Sequence, residues 1–520
     1  MNKKTKKIVL IIIGIAVVLF LGLLGLNYFI ENKLKKQISE APEHFKIQYE
    51  AIAVNALSGN VEVSKPTISV YEEKTKKLTA TVVLEKFSVA GFSYFNYLLK
   101  DKISVDDIIF NQAKITYYKN ETPKDDSSNN IFEKLKQIVE IESIELKEAF
   151  VTMYDGSNDS LILKSDNLNL KIDVIKINPS QKMNPVSYSD FRVTSKATFY
   201  SLGEYENLIL EGLDVNSTQS KFSGVKLKTK YSKHALTQMI KVERDHYDLA
   251  IDSITIKNQN FGFKHDSIFY FKSKRVDFHQ PNFKIYRNKL VTDDMSVKPL
   301  YSKMLRDLGF DLTLDNVFLN NTSITYTEKT KEETSGGKIL FSKLNAEIKN
   351  LSNTYKAKDS LTAIKVKAIF MDNTPIDVDW NFDVNNLQDS FVFKAKMGGL
   401  NAESMNQFME PNLNIQLEGA IKQTYFTING TDDTSHIDLQ IKYDAFDVII
   451  LKEKTKKKNK LLSSIVNIFV SKDSEDVSND FRKGSKSDIE RVKNKSVFNY
   501  LWINIKEGLL HAMTGDGKKK

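Results

Sequence analysis

The residues able to do chemistry are few and scattered. Seven histidines occur: His44, His234, His246, His265, His279, His436 and His511. No two stand at the spacing that turns both imidazoles toward one metal from a helix or a strand. The chain has no cysteine, which removes disulfides, thiolate metal sites and a thiol nucleophile. Two acidic pairs, Asp293-Asp294 and Asp432-Asp433, are the nearest approach to a general acid and base. Each lies in a turn-like stretch, where aspartate caps and solvates backbone. A Gly-x-Ser-x-Gly elbow, a phosphate-binding glycine loop and a dinucleotide fingerprint are all missing. The expectation is a protein that is not an enzyme, with no catalytic residues, no metal ligands and no cofactor.

Charge points away from nucleic acid. The net charge is +9 over 520 residues, but three lysine tracts dominate it. They are Lys3, Lys4, Lys6 and Lys7; Lys452, Lys454, Lys456, Lys457, Lys458 and Lys460; and Lys518, Lys519 and Lys520. Net of Glu453 these tracts carry +12, which leaves the rest at −3. A nucleic-acid footprint needs a basic face, and this body is near neutrality. Tracts beside apolar helices suit anionic lipid headgroups, at about 1 kcal/mol per lysine near the surface.

The elements around those residues begin with Ile8 to Ile30, an apolar run with no charge and one amide, Asn27. As a helix it reaches roughly 34 Å, enough to cross a hydrocarbon core of about 30 Å. It is longer than the core of a signal peptide, and Leu26-Asn27-Tyr28-Phe29-Ile30 is a poor cleavage context. The expectation is a retained single-pass anchor carried by Ile8, Leu10, Ile13, Val17, Phe20, Leu23, Leu26 and Ile30. The adjacent lysines favour the N-terminus inside and the body outside.

One pattern then recurs six times: two apolar residues one apart, a four-residue gap, and two more apolar residues one apart. The copies are Val61, Val63, Ile68, Val70; Ile108, Phe110, Ile115, Tyr117; and Ile144, Leu146, Val151, Met153. Three follow later: Ile254, Ile256, Phe261, Phe263; Val276, Phe278, Phe283, Ile285; and Val317, Leu319, Ile324, Tyr326. Alternation predicts strands with one dry and one wet face. The odd spacing across each gap would flip the faces, so a turn or bulge must intervene. The candidate lipid-groove or core positions are Val63, Ile68, Phe110, Ile115, Leu146, Val151, Ile256, Phe261, Phe278, Phe283, Leu319 and Ile324.

Helices are few. Short ones are expected at Phe92 to Leu99 and Pro299 to Leu308. Leu461, Ile465 and Phe469 follow helical spacing, as do Leu501, Ile505 and Leu509 with Trp502 alongside. These last two are candidate interfacial helices, with packing on the end of a sheet as the plainer alternative.

Several stretches resemble the AsmA-like envelope protein family in its Bacteroidetes-type form. Near the start these are Leu57-Ser-Gly-Asn-Val-Glu-Val, Phe87-Ser-Val-Ala-Gly-Phe, and Tyr97-Leu-Leu through Ile103-Ser-Val-Asp-Asp-Ile-Ile-Phe to Ile115-Thr-Tyr. Later ones are Met409-Glu-Pro-Asn-Leu-Asn-Ile-Gln-Leu-Glu-Gly, Phe426-Thr-Ile-Asn-Gly and Tyr443-Asp-Ala-Phe-Asp-Val. They are loose apolar patterns spread over most of the chain. The resemblance implies a cytoplasmic (inner) membrane anchor and a periplasmic body. It also implies a mainly β fold, a long, twisted, curled antiparallel sheet shaped as a groove or half-pipe, related to bridge-like lipid transfer proteins. The implied role is phospholipid movement or outer-membrane biogenesis and maintenance. The chain is shorter than the largest members; roughly thirty strands at about 4.8 Å span near 140 Å at most.

The expected layout is 1–30 tail and anchor, 31–345 repetitive β domain, 346–450 C-terminal β region, and 451–520 basic tract, amphipathic helices and tail. The expected function is shielding and moving phospholipid in an apolar β groove, with membrane lipid as partner, an envelope protein as a further partner, and no nucleic acid. The alternative is a non-catalytic scaffold or interaction protein built of closed β-sandwich modules.

Overall fold

The computed structural model describes residues 23–120, 137–181, 185–264, 268–355, 361–452 and 481–513. Ile8, Leu10, Ile13, Val17 and Phe20, and also Leu461, Ile465 and Phe469, lie outside the described residues. Leu23, Leu26 and Ile30 fall in helix α1, residues 23–39. Among the described residues no helix is long and apolar enough to cross a membrane.

The chain is mainly β, and its strands form a long curled sheet. The first strands are β1 Phe45–Gln48, β2 Ala51–Asn55, β3 Asn60–Ser64, β4 Thr67–Tyr71, β5 Leu78–Val83, β6 Lys86–Ala90, β7 Lys102–Asn111, β8 Lys114–Lys119, β9 Ile138–Asp155 and β10 Leu161–Ile177. Next come β11 Val186–Ser187, β12 Asp190–Ser195, β13 Ala197–Leu202, β14 Glu206–Leu210, β15 Gly212–Asn216, β16 Gln219–Thr229, β17 Asp245–Lys264, β18 Ile268–His279 and β19 Asn282–Asn288. The last are β20 Asp311–Lys329, β21 Gly337–Ser352, β22 Thr362–Phe370, β23 Thr374–Phe382, β24 Phe391–Met397, β25 Leu400–Asn401, β26 Ile415–Gly430, β27 Thr434–Ile450 and β28 Arg482–Glu490. The later helices are α2 Tyr94–Leu99, α3 Lys233–Met239, α4 Tyr301–Arg306, α5 Asn406–Leu413 and α6 Val497–Met513. Helices α2 and α4 fall inside the two short helical stretches expected from the sequence.

Two compact units divide the chain. Unit 1 is Met1–Leu202 with Ile209–Ser217, and unit 2 is Gly203–Leu208 with Thr218–Lys520. In unit 1, β7 and β8 lie end to end along one edge of β9, and β10 flanks the other edge. In unit 2, β18 and β19 lie end to end along β20, which starts a meander through β21, β22, β23, β24, β26, β27 and β28.

The sheet departs from the antiparallel expectation at these two places. The pairings of β7 and β8 with β9, and of β18 and β19 with β20, are parallel. A parallel neighbour needs a crossover. Residues 289–310 supply the one before β20 and contain α4, while the connection between β8 and β9 lies outside the described residues.

Every gap in the six-copy pattern holds one non-glycine residue in the left-handed backbone region. These are Lys65 (φ 46°), Gln112 (φ 50°), Glu148 (φ 51°), Asn258 (φ 51°), Gln280 (φ 49°) and Asn321 (φ 52°). Each stands two residues past the second apolar position of its copy. A residue there adds a half-step to the strand, so both apolar pairs return to one face. Backbone hydrogen bonds offset the strain, which is about 1–2 kcal/mol for an L-residue. Lys65 N donates to Glu85 O at 3.0 Å, Gln112 N to Lys147 O at 2.8 Å and Gln280 N to Asn320 O at 2.9 Å.

The C-terminal end of unit 2 is sealed. Helix α6 lies on β27 and β28, burying Tyr500 and Leu501 against Phe426, Ile437, Leu439 and Ile441. It sits close because both surfaces lack side chains at the contact: a Cβ on Gly484 would meet Gly508 O at 2.2 Å. Asn504 is fully buried in that contact, accepting from Ser435 Oγ at 2.9 Å and donating to Tyr500 O at 2.9 Å.

Candidate functional site

In unit 1 the bulges place apolar residues in rows that run across the strands. One row is Val63, Phe87, Phe110, Leu146, Leu170, Val193 and Val215, each paired with the next. A second, beyond the bulges, is Ile68, Val82, Ile115 and Val151. Phe110, Ile115, Leu146, Val82 and Phe87 pack in one cluster around Leu84, Ala113 and Ala149, so both rows share a face. The Phe87 and Phe110 rings lie 5.1 Å apart.

Unit 2 repeats the arrangement. Ile254, Phe278, Leu319, Ala346, Val366, Val378, Ala395, Phe426 and Leu439 form a row across nine strands. Leu249, Phe283, Ile324, Phe341 and Phe370 form another. Ile256 pairs with Val276, and Phe261 stacks on Phe271 at 6.2 Å.

None of the twelve candidate positions is buried. Eleven are partly exposed, and Phe261 is 37% exposed. A sandwich core would bury them, so among the described residues no second layer seals this face at those twelve positions. Exposure is lowest toward the cap, where Phe426 and Leu439 are 7% and 1% exposed, although Val276, Ala346 and Phe370 are also buried within the rows. Of the candidate interfacial residues, Leu501 is buried in the core, and Ile505 and Leu509 pack against it. Trp502 lies on the open side of α6 with Phe498 and Leu510.

The opposite face of unit 1 is wet. It carries a cleft of about 1070 Å³ along the bulges, lined by Lys65, Glu85, Gln112, Lys147, Glu148 and Asn169 among others. Its charges answer one another: Lys65 Nζ lies 3.1 Å from Glu50 and Lys147 Nζ 2.5 Å from Glu145. The Glu50 carboxylate raises the Lys65 ammonium pKa through a hydrogen bond.

Pattern reading passed over three further copies. Leu163, Ser165, Leu170 and Ile172 surround Asn167; Ile339, Phe341, Ala346 and Ile348 surround Lys343; Ile441, Tyr443, Val448 and Ile450 surround Ala445. All three central residues have positive φ. Ser165 and Ala346 masked the spacing in the first two, while in the third it was there to be seen.

Both acidic pairs anchor the segment that leads into α6. Asp293 pairs with Lys495 at 2.6 Å, and Asp294 with Lys298. Asp432 pairs with Arg491 and, at 3.0 Å, with Lys493, which also meets Asp433 at 2.6 Å. Lys495 and Lys289 flank the buried Glu243 at 3.7 Å and 2.6 Å. The Lys495 ammonium beside Asp293 holds that carboxyl below the usual range, and Asp293 in turn raises Lys495. Among the described residues no three His, Asp or Glu side chains gather as metal ligands.

No protein-family model matches the chain, and no curated protein matches it.

Proposed function

We propose that this is a non-catalytic lipid-handling protein of the cell envelope, which shields phospholipid acyl chains on the apolar face of its sheet. The supporting observation is that all twelve spaced apolar positions are left unburied by the fold. Each acyl methylene withdrawn from water is worth about 0.8 kcal/mol, so a sixteen-carbon chain is worth on the order of 12 kcal/mol. An uncovered apolar face and a lipid tail have complementary needs, and neither requires a catalytic group. The run Ile8 to Ile30 and the flanking lysines support an inner-membrane anchor with a periplasmic body. The resemblance to AsmA-like proteins points to the same role.

The test is mass spectrometry of lipid carried by the full chain after mild extraction, compared with Phe110→Asp and Leu319→Asp variants. The reading expects phospholipid with the parent chain and much less with the variants. A folded parent chain free of lipid would overturn it. The scaffold reading draws on one specific observation, the sealed core under α6; it would gain if lipid were absent and one protein partner co-purified.

A further inference from the structure

The end of unit 1 bearing α1, the β2–β3 turn and α2 carries an unusual concentration of exposed apolar groups. Tyr28, Phe29, Leu57, Phe95, Leu98 and Leu99 are 61–79% exposed. Two contacts bring these elements together. Asn27 Oδ1, the one amide of the apolar run, accepts from Ala56 N at 2.7 Å. Phe92 N donates to Gly59 O at 3.0 Å, and Ser93 Oγ then caps α2 by accepting from Asn96 N. Gly59 has φ +68°, and a Cβ there would meet Phe92 O at 2.3 Å, so the turn and the start of α2 are in close contact.

We propose that this end seats in the headgroup layer of a phospholipid bilayer, with Leu57 and α2 dipping into it beside the emerging α1. Three observations select a bilayer as the occupant. Tyr28, Phe29 and Ile30 close an uncharged run of 23 residues that is long enough to span one. The exposed groups mix aromatic and aliphatic side chains with Lys33, Lys36 and Lys100, the composition of an interfacial surface. Lys100 Nζ lies 5.3 Å from the Phe95 ring centroid, which places a cation over one of the exposed aromatic groups.

The seat also has a use. Phe92 packs with Ile103, Ile108, Val139, Ile144 and Ile172 on the apolar face of the sheet. Its ring meets Tyr94 at 5.1 Å and Tyr97 at 5.7 Å. Phe92 thus joins α2 to the apolar rows, so a tail leaving the bilayer at α2 meets the shielding face directly. This use rests on the lipid-handling reading; the seat itself does not.

The chain lacks cysteine, so single labels are clean. Leu57→Cys, Leu98→Cys and, as a control, Leu387→Cys in unit 2 (81% exposed) are labelled with a polarity-sensitive dye on the full chain. Each is placed in vesicles of phosphatidylethanolamine and phosphatidylglycerol. Dye at 57 and 98 is expected to brighten about twofold, to shift blue and to be quenched by spin-labelled lipid, whereas dye at 387 stays water-like. Dye at 57 and 98 that matches the control overturns the proposal. So does brightening that fades as protein is diluted in the vesicles, which identifies a second copy as the occupant. The dyes read depth and not cargo: quenched dyes on a lipid-free protein support the seat and sink the lipid-handling reading, and unquenched dyes on a lipid-loaded protein do the reverse.

Discussion

The Asn345 carboxamide accepts the backbone N–H of Asn321 across the strands at 3.0 Å while donating to Lys343 O at 3.0 Å on its own strand. Unit 1 repeats this with Asn169, which accepts from Glu148 N at 2.9 Å and donates to Asn167 O at 3.1 Å. In both places an asparagine two residues past one left-handed position satisfies the amide of the next. Neighbouring bulges are therefore locked in register. Replacing Asn345 or Asn169 by Ala removes both bonds and is expected to lower stability by about 1 kcal/mol, reduced by the solvent that reaches these positions. Urea unfolding with a probe in the matching unit measures it, and an unchanged midpoint for both variants would count against the lock.

The left-handed positions make a second prediction. Lys343 is exposed with φ 49°, and glycine adopts that conformation without a Cβ penalty. Lys343→Gly is expected to raise the stability of unit 2 by about 0.5–1 kcal/mol, and Lys343→Val to lower it by about 1–2 kcal/mol. The opposite order in a thermal melt would mean that the strand straightens around the substitution.

Much of this was legible from spacing alone. Phe110 and Ile115 are five apart, an odd number that no regular strand can place on one face, and Gln112 resolves it. What could not be read was partner choice. Ile108 and Ile144 both look like members of a plain antiparallel meander, yet they pair in parallel, because the direction of a distant partner leaves no local mark on either strand. The acidic pairs were read correctly as loop residues, but their partners Arg491, Lys493 and Lys495 lie far along the chain. Long-range ion pairs have no period to betray them.

The cap on unit 2 is open to a direct test. Gly484→Ala drives a methyl group into Gly508 O, and overpacking of this kind costs about 1–3 kcal/mol. Asn504→Ala removes the 2.9 Å partner of Ser435, leaving it Ile489 O at 3.4 Å, and also the side-chain donor to Tyr500 O, at a cost of about 1–3 kcal/mol. Both tryptophans, Trp380 and Trp502, belong to unit 2, so tryptophan emission during urea unfolding follows this unit. Both variants should move the midpoint down, whereas Trp502→Phe, on the open side of α6, should leave it nearly in place when read by circular dichroism.

The latch that holds the start of α6 should respond to pH at both extremes. The Asp293 carboxyl is held below its ordinary range by Lys495, so its contribution is present above the unfolded carboxylate value and is lost as pH falls through the depressed one. The Lys493 and Lys495 ammonium groups are raised by Asp433 and Asp293. Their contribution is complete below the unfolded lysine value and is lost as pH rises through the higher one. The latch is thus intact across the neutral range, loosens below about pH 4 and loosens again above about pH 10. Protease cleavage within 491–495, scanned against pH, reads this directly. Lys495→Met removes the cation that ties this segment to Asp293 and the buried Glu243, both of which keep Lys289 outside the segment, so it should make the segment cleavable at neutral pH. Equal protection of parent and variant at every pH would show that α6 is held by its apolar face alone.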